Sequence, residues 1–453
     1  MRAGLKMRRT FARGGVHPPQ RKELTSGVAI SSPAPPAIVT IPLHQSIGAP
    51  ARAIVKAREE VACGQLIAEP GGFISAPVHA SVSGKVKRIA AFPTSIGPSV
   101  ECIQIESDGQ DTWVPDVNLG ASECTAALAK SPEDLLATLA GAGLVGLGGA
   151  AFPTAVKLRP PPGGKVDTLL LNGAECEPYL TADHRLMIEE APGIIAGLRV
   201  LMRVLGIERA VIGIEDNKPD AVETMRAAVD EIGGVSVEVC CTAYPQGAEK
   251  QLIQAILGRE VPSGKLPLQV GVVVQNVATA FAAFEAVVRH KPLIERVVTV
   301  SGGAVAEPKN LRVRIGTSLE DLVAHCGGVR GELGKLIMGG PMMGKALKSF
   351  DIPVVKATSG VLLMDEVEAA QVDEQACLRC GRCVQVCPQG LMPCDLAAMA
   401  NHGRLEGFGD GADCVECGCC QFICPAGRRL VHSIRFGKSD YRRLKAAEKR
   451  QGA

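Results

Sequence analysis

Cys377-Leu378-Arg379-Cys380-Gly381-Arg382-Cys383-Val384-Gln385-Val386-Cys387-Pro388 carries the spacing C-x2-C-x2-C-x3-C-P, and Cys414-Val415-Glu416-Cys417-Gly418-Cys419-Cys420-Gln421-Phe422-Ile423-Cys424-Pro425 repeats it. Two-residue gaps let one tight loop offer three thiolates to three irons of a [4Fe-4S] cube. The fourth, set off by three residues and a proline, reaches a cube corner elsewhere. Where two such motifs occur together the fourth cysteine serves the other cube. The expected ligand sets are therefore Cys377, Cys380 and Cys383 with Cys424, and Cys414, Cys417 and Cys420 with Cys387. Two cubes imply electron transfer.

Other uses of these cysteines fit less well. Zinc needs four ligands per site and is signalled by paired C-x2-C knuckles, so a third cysteine at the same step and a fourth before proline argue against it. A disulfide framework belongs to small secreted domains, whereas this chain has 453 residues and lone cysteines such as Cys63, Cys102 and Cys326. A reducing compartment is expected. Cys394 and Cys419 fall outside the pattern and read as spectators, Cys419 being a register alternative of poorer spacing.

The length calls for about three or four domains. With 51 glycines and 30 prolines the chain is too turn-rich for a helix bundle, and points to β modules and ligand loops. A net charge of +2, with no basic stripe interleaved with aromatics, excludes nucleic acid as a partner. Residues 431–453 hold a local basic surplus and read as a solvated helical tail. Arg8-Arg9-Thr10-Phe11 is followed by no apolar run, so no export signal is expected. The apolar stretch Val270 to Val288 is broken by Gln275, Asn276, Thr279 and Glu285 and should not cross a bilayer unaided.

Along the chain, residues 1–37 are basic and proline-rich and read as an extended arm with no core of its own. Short β-like runs punctuated by glycine follow over 38–115, as in a small barrel or sandwich. Ile74 to Val86 resembles the hairpin of biotinyl and lipoyl carrier modules, but His79 and Ala80 stand where a modified lysine would be, so a structural module is expected. Residues 125–292 alternate helical and strand-like stretches, as an α/β domain should. Ser131-Pro132-Glu133-Asp134 is a helix start, with serine as N-cap and acids in the first turn. Then comes Gly141-Ala142-Gly143-Leu144-Val145-Gly146-Leu147-Gly148-Gly149-Ala150-Ala151-Phe152-Pro153-Thr154, whose glycines let backbone N–H groups approach a phosphate or an isoalloxazine face. It formally contains G-x-G-x-x-G, but follows a helix instead of a strand, which argues against an ordinary Rossmann site.

Gly146 to Lys157, with Asn172-Gly173-Ala174-Glu175-Cys176-Glu177-Pro178, resembles the flavin and NADH loop of the NADH-oxidising subunit of respiratory complex I. Gly14 to Pro19, Ile41 to Pro50, Tyr244 to Gln251 and Arg259 to Gly264 extend the resemblance, in order and over nearly the whole chain, to the RnfC family of the Rnf electron-transport complex. The fold this implies is multidomain α/β plus β. It comprises a barrel-sandwich hybrid (38–115), an α/β FMN/NAD(H)-binding domain (125–292), an SLBB β-grasp domain acting as a spacer (293–350), an α-helical two-[4Fe-4S] ferredoxin-like domain (370–430) and the tail.

By the same resemblance Gly146, Gly148 and Gly149 would form the flavin loop, Lys157 would pair with the FMN phosphate, and Asn172 and Glu175 would contact the ring and ribityl chain. Glu177, the expected catalytic residue, would sit near the nicotinamide. Tyr244, Asn276 and Thr279 would complete the flavin pocket, while Phe152 would stack on the dinucleotide and Glu249 bind a ribose. Ala174, Leu147, Ala248 and Gln275 replace an acid, an arginine, an acid and an asparagine of the complex I pattern, leaving a pocket with fewer charges. The implied protein is a peripheral subunit on the cytoplasmic face of the bacterial inner membrane. It would exchange electrons between NAD(H), bound FMN and two cubes, with ferredoxin or flavodoxin reached through the other Rnf subunits, including membrane and ferredoxin-like ones. Ion movement would belong to the membrane partners, and membrane contact would be indirect. A cobalamin reductase of diol-degrading microcompartments and a non-catalytic iron-sulfur scaffold are the alternatives. Chemically, a flavin is the natural junction between a two-electron hydride and one-electron cubes.

Overall fold

The computed structural model describes residues 9–161, 163–370 and 372–451. The first eight residues of the expected arm and the last two of the expected tail lie outside them. Residues 38–107 form two small sheets: Ile38–Pro42, Gly97–Ser107, Gly84–Thr94 and Glu60–Val61 in one, Arg52–Ala53, Leu66–Glu69 and Val78–His79 in the other. Val39, Ile41, Ile67, Val82, Val86, Ile103 and Ile105 alternate inward and bury a core between them. His79 and Ala80 are buried. Lys356 Nζ donates to Pro77 O at 2.9 Å beside them, so the hairpin is a joint with its neighbours and no swinging arm.

The α/β domain holds a parallel four-stranded sheet in the order Val235–Cys240, Ala210–Glu215, Thr168–Gly173, Val272–Asn276. The chain winds outward from Thr168–Gly173, then returns to its other side as Val272–Asn276. The strand order reverses there, and open α/β sheets place ligands at such a reversal, outside the strands' carboxyl ends. The stretch Val270 to Val288 is this returning strand followed by the helix Val277–Val288, whose residues from Thr279 to Val288 are all buried. Among the described residues no helix is long and apolar enough to cross a membrane. The helix Pro132–Gly141 starts as expected, with Asp134 N donating to Ser131 Oγ.

The β-grasp sheet runs Lys309–Arg314, Glu295–Ser301, Gly360–Asp365, Leu333–Met338, Lys345–Leu347. It therefore extends past residue 350. Gly360–Asp365 is its central strand, pairing parallel with Glu295–Ser301 and antiparallel with Leu333–Met338, and its apolar run Gly-Val-Leu-Leu-Met fits a strand buried on both faces. The tail also differs. The helix Leu430–Gln451 begins inside the cysteine domain, where Leu430, Val431 and Ile434 pack against Leu396, Ala397, Ala400 and Phe408; only its later turns are solvated. The arm has no core of its own, but Phe11, Val16 and Lys22 are buried against other domains.

Helix Ala191–Leu205 packs on Val277–Val288 at a backbone-to-backbone approach, where a Cβ on Gly197 would stand 1.7 Å from Ala280 O. Gly197→Val should therefore cost about 3 kcal/mol by overpacking. A lowered thermal unfolding midpoint relative to the parent chain checks this.

Candidate functional site

The two cysteine motifs adopt one backbone shape twice. Arg379 and Glu416 have φ of 53° and 58°, and Gly381 and Gly418 have φ of 74° and 86°; the short helices Arg382–Gln385 and Cys419–Phe422 follow at equivalent places. Arg379 N and Glu416 N donate to Cys377 Sγ and Cys414 Sγ, each at 3.4 Å, and Leu391 N donates to Cys387 Sγ at 3.4 Å. Burial raises Cys387 and Cys414, and their N–H···S bonds oppose that rise. Cys387, Cys414, Cys417, Cys419 and Cys420 line one cavity, closed by Leu391, Leu396, Val431 and Ile434. Cys387, Cys414, Cys417 and Cys420 are the crossed set expected from spacing, and Cys419, expected to be a spectator, lines the same cavity. Among the described residues no group of His, Cys, Asp and Glu converges as a single metal ion requires. Thiols gathered around one cavity suit a cube, whose ligands stand at its corners. Cys377 and Cys380 of the first motif are exposed. Cys419 is buried, its Sγ 3.8 Å from Tyr244 O.

The glycine loop lies at the sheet's reversal. Asn172 and Asn276, at the carboxyl ends of neighbouring strands, are directly in register. Leu147 N donates to Thr279 Oγ1 at 2.9 Å, and a Cβ on Gly148 would touch Asn276 Cβ at 3.4 Å. Gly149 has φ of 111° with open space before it, so this cradle presents backbone where a side chain would intrude. Its rear is anchored from the β-grasp domain: Arg296 Nη2 donates to Leu147 O at 3.3 Å and Lys356 Nζ to Gly143 O at 2.7 Å. An arginine thus reaches this loop from another domain, beside the residue where the complex I pattern places one. Burial lowers Arg296 to about 10 and Lys356 to about 7. Lys157, ending the short helix Thr154–Lys157, pairs with Glu249 at 2.5 Å, bringing together the residues expected at phosphate and ribose. Phe152 is half-buried on the same loop, and its O accepts from Gly146 N. The cradle, the asparagine pair and Lys157 fit a flavin mononucleotide.

The segment Ala174–Leu180 stands otherwise than expected. Glu175, at φ of 46°, turns its carboxylate to the helix Ala182–Glu189, accepting from Asp183 N and His184 N at 2.8 and 3.1 Å. The Glu177 carboxylate accepts from Met342 N and Met343 N, at 3.0 and 2.9 Å, in a β-grasp loop; burial pushes it up to about 7. Beneath, buried Lys22 donates to Glu175 O, Glu177 O and Leu180 O, and buried Lys218 to Ala174 O. Burial lowers Lys22 to about 8. Tyr244 does not face the cradle with its hydroxyl, which donates to Cys417 O at 2.7 Å; its backbone pairs with Val16. Asp183, raised to about 7 by burial, accepts from Asn276 Nδ2 at 2.7 Å. Lys22, Lys218, Asp183, Arg296 and Lys356 escaped the sequence reading because only burial distinguishes them from surface charges.

One packed wall therefore joins the two sites: Cys176, Tyr244, Val16 and Met342 pack with Cys417 and Cys419. On the other side, Asn172 Nδ2 donates to Gly247 O at 2.8 Å, with Cys176 Sγ against the same glycine. This adjacency defines a class, an electron-transfer protein uniting a flavin cradle with cubane centres. Known proteins agree along the chain: residues 10–110 match the RnfC barrel sandwich hybrid domain, 139–285 the Nuo51 FMN-binding domain, 297–346 the SLBB domain and 370–391 a 4Fe-4S binding domain. The C component of the proton-translocating ferredoxin:NAD(+) oxidoreductase complex of Clostridium ljungdahlii is 47% identical over 96% of this chain and 95% of its own. The C component of the Na(+)-translocating complex of Acetobacterium woodii is 46% identical over 97% and 98%. That of the ion-translocating oxidoreductase complex of Rhodobacter capsulatus is 45% identical over 87% and 76%. A solved NAD+-reducing [NiFe]-hydrogenase chain shares the fold, with a TM-score of 0.51, 19% identity and coverage of 67% of this chain and 63% of that one. The chain belongs to the RnfC family, the C components of Rnf ion-translocating ferredoxin:NAD(+) oxidoreductase complexes. It is an electron-transfer subunit with an FMN-binding domain and a 4Fe-4S domain.

The crossed ligand set makes a sharp expectation. Cys387→Ala should remove the same cube as Cys414→Ala, about half the iron in either case, and leave the other cube's paramagnetic signal in place. Loss of different signals from the two variants would refute the crossing.

Proposed function

We propose that this subunit exchanges electrons between NAD(H) and ferredoxin or flavodoxin, the latter reached through the other Rnf subunits, from a peripheral position on the cytoplasmic face of the membrane. The observation that carries this reading is the wall shared by the cradle and the cube cavity, with Tyr244 Oη bonded to Cys417 O. Short packed distances suit tunnelling of single electrons, and apolar packing excludes water from the path. A bound flavin supplies the junction between two-electron and one-electron chemistry.

The chain's residues position the reactants. Gly146, Gly148 and Gly149 admit the ring by lacking side chains, with Thr279 fixing the loop from below. Asn172 and Asn276 offer amides along the strand ends, and Lys157 is the cation for the phosphate, released from Glu249 as that carboxylate turns to a ribose hydroxyl. Phe152 covers the dinucleotide. Glu175 and Glu177 act as positioning residues, one capping a helix and one clamping the β-grasp loop beside Gly418, whose Cβ would meet Met342 O at 2.9 Å. Cys414, Cys417, Cys420 and Cys387 would hold the cube nearer the flavin, and the set containing exposed Cys377 and Cys380 would serve the exchanging partner.

Anaerobically purified protein should contain flavin and iron and reduce an artificial dye with NADH. Lys157→Ala should weaken FMN retention about 10- to 100-fold, the value of a charge-assisted hydrogen bond, while iron and both cube signals stay intact. Unchanged flavin affinity in a folded variant would remove Lys157 from the phosphate site.

A further inference from the structure

Against the Ala174–Leu180 segment lies a second cavity, lined in part by Lys22, Cys176 and Tyr244. Exposed His17 stands at its mouth with Gln20; Asn217 and Ala243 form its walls; Lys22, Glu215 and Cys176 line its depth. Glu215, the last residue of the strand Ala210–Glu215, is 1% exposed. Its Oε2 accepts from Lys218 Nζ and Asn217 Nδ2, both at 3.4 Å, while its Oε1 has no protein partner. A buried carboxylate with a free oxygen lining a polar cavity calls for a water or another donor there. Cys176 stands between the cavity and the flavin crevice: a Cβ on Gly247 would stand 3.2 Å from Cys176 Sγ and 3.7 Å from Asn172 Oδ1.

We propose that this cavity is a proton route to the rear of the flavin crevice, with Glu215 as its buried proton-holding group. The inference rests on the flavin and dinucleotide sites proposed above. Forming the C–H bond at nicotinamide C4 of NAD+ consumes two electrons delivered singly through the cubes and one proton from water; the reverse reaction releases the same proton. The cradle's open side, in front of Gly149, is where the proposed dinucleotide would lie, and once seated it would cover that side. A rear path is then needed. Glu215 faces the cations Lys22 and Lys218, the thiols of Cys176 and Cys240, and the carboxylates of Glu175 and Glu177 around Lys22. Burial raises its pKa above the usual carboxylate range, while the two ammonium groups oppose that rise.

The test uses flavin- and cube-loaded protein with a non-reducible NAD+ analogue bound, proton uptake being followed by a pH indicator in weak buffer as the protein is reduced. Glu215→Gln should slow uptake on the order of a hundredfold without changing the final number of protons, the flavin content or the cube signals, and imidazole should restore part of the rate. Ala243→Phe, which fills the cavity and alters no charge, should slow uptake likewise and decides the matter if Glu215→Gln fails to load. NAD+ reduction driven by reduced ferredoxin should fall in parallel. Uptake at the parent rate in a loaded variant overturns the route. Parent protein that holds no flavin overturns the underlying reading instead.

Discussion

Two ammonium groups buried beneath one loop hold this molecule's working parts together. Lys22 comes from the N-terminal arm and Lys218 from the loop after a sheet strand, and between them they take up four carbonyls of the segment Ala174–Leu180. A buried cation is costly unless its donors are satisfied. Here the satisfaction is provided by a backbone bent into positive φ at Glu175 and Tyr179, so cation and loop depend on each other. That loop carries Glu175 to a helix N-terminus, Glu177 to the β-grasp domain and Cys176 to the cube-facing wall. Domain arrangement and electron path therefore share one set of contacts.

The same logic explains the auxiliary domains. Lys356 links Pro77 of the barrel-sandwich hybrid to Gly143 at the root of the glycine loop, and Arg296 binds Leu147 within it. Both are cations delivered from the β-grasp side to carbonyls that a loop without side chains cannot satisfy locally. A loop rich in glycine has much conformational freedom to lose, and these contacts hold it open for a ligand.

Much of the site was legible because its chemistry needs particular residue types at particular spacings. The two cysteine motifs are readable from their spacing, and Cys387 joins Cys414, Cys417, Cys419 and Cys420 around one cavity. The glycine loop, Asn172, Asn276 and Thr279 follow from resemblance and meet at the sheet's reversal, while Lys157 pairs with Glu249. Less legible were Glu175, whose carboxylate serves a helix end, and Tyr244, whose hydroxyl serves the cysteine domain: a residue type does not reveal which neighbour it will face. The central strand Gly360–Asp365 lay beyond the expected domain edge because strands adjacent in a sheet need not be adjacent in sequence.

By itself the sequence determined the cube-binding loops, the glycine-bearing ligand loop and the order of domains, since these depend on local spacing and backbone freedom. Only the tertiary structure decided which side of the cysteine domain meets the flavin crevice, which lysines lose their water, and where a carboxylate is left with a free oxygen. Those outcomes depend on burial, and burial is set by contacts between residues far apart in the chain, such as Tyr244 with Cys417 and Lys22 with Leu180.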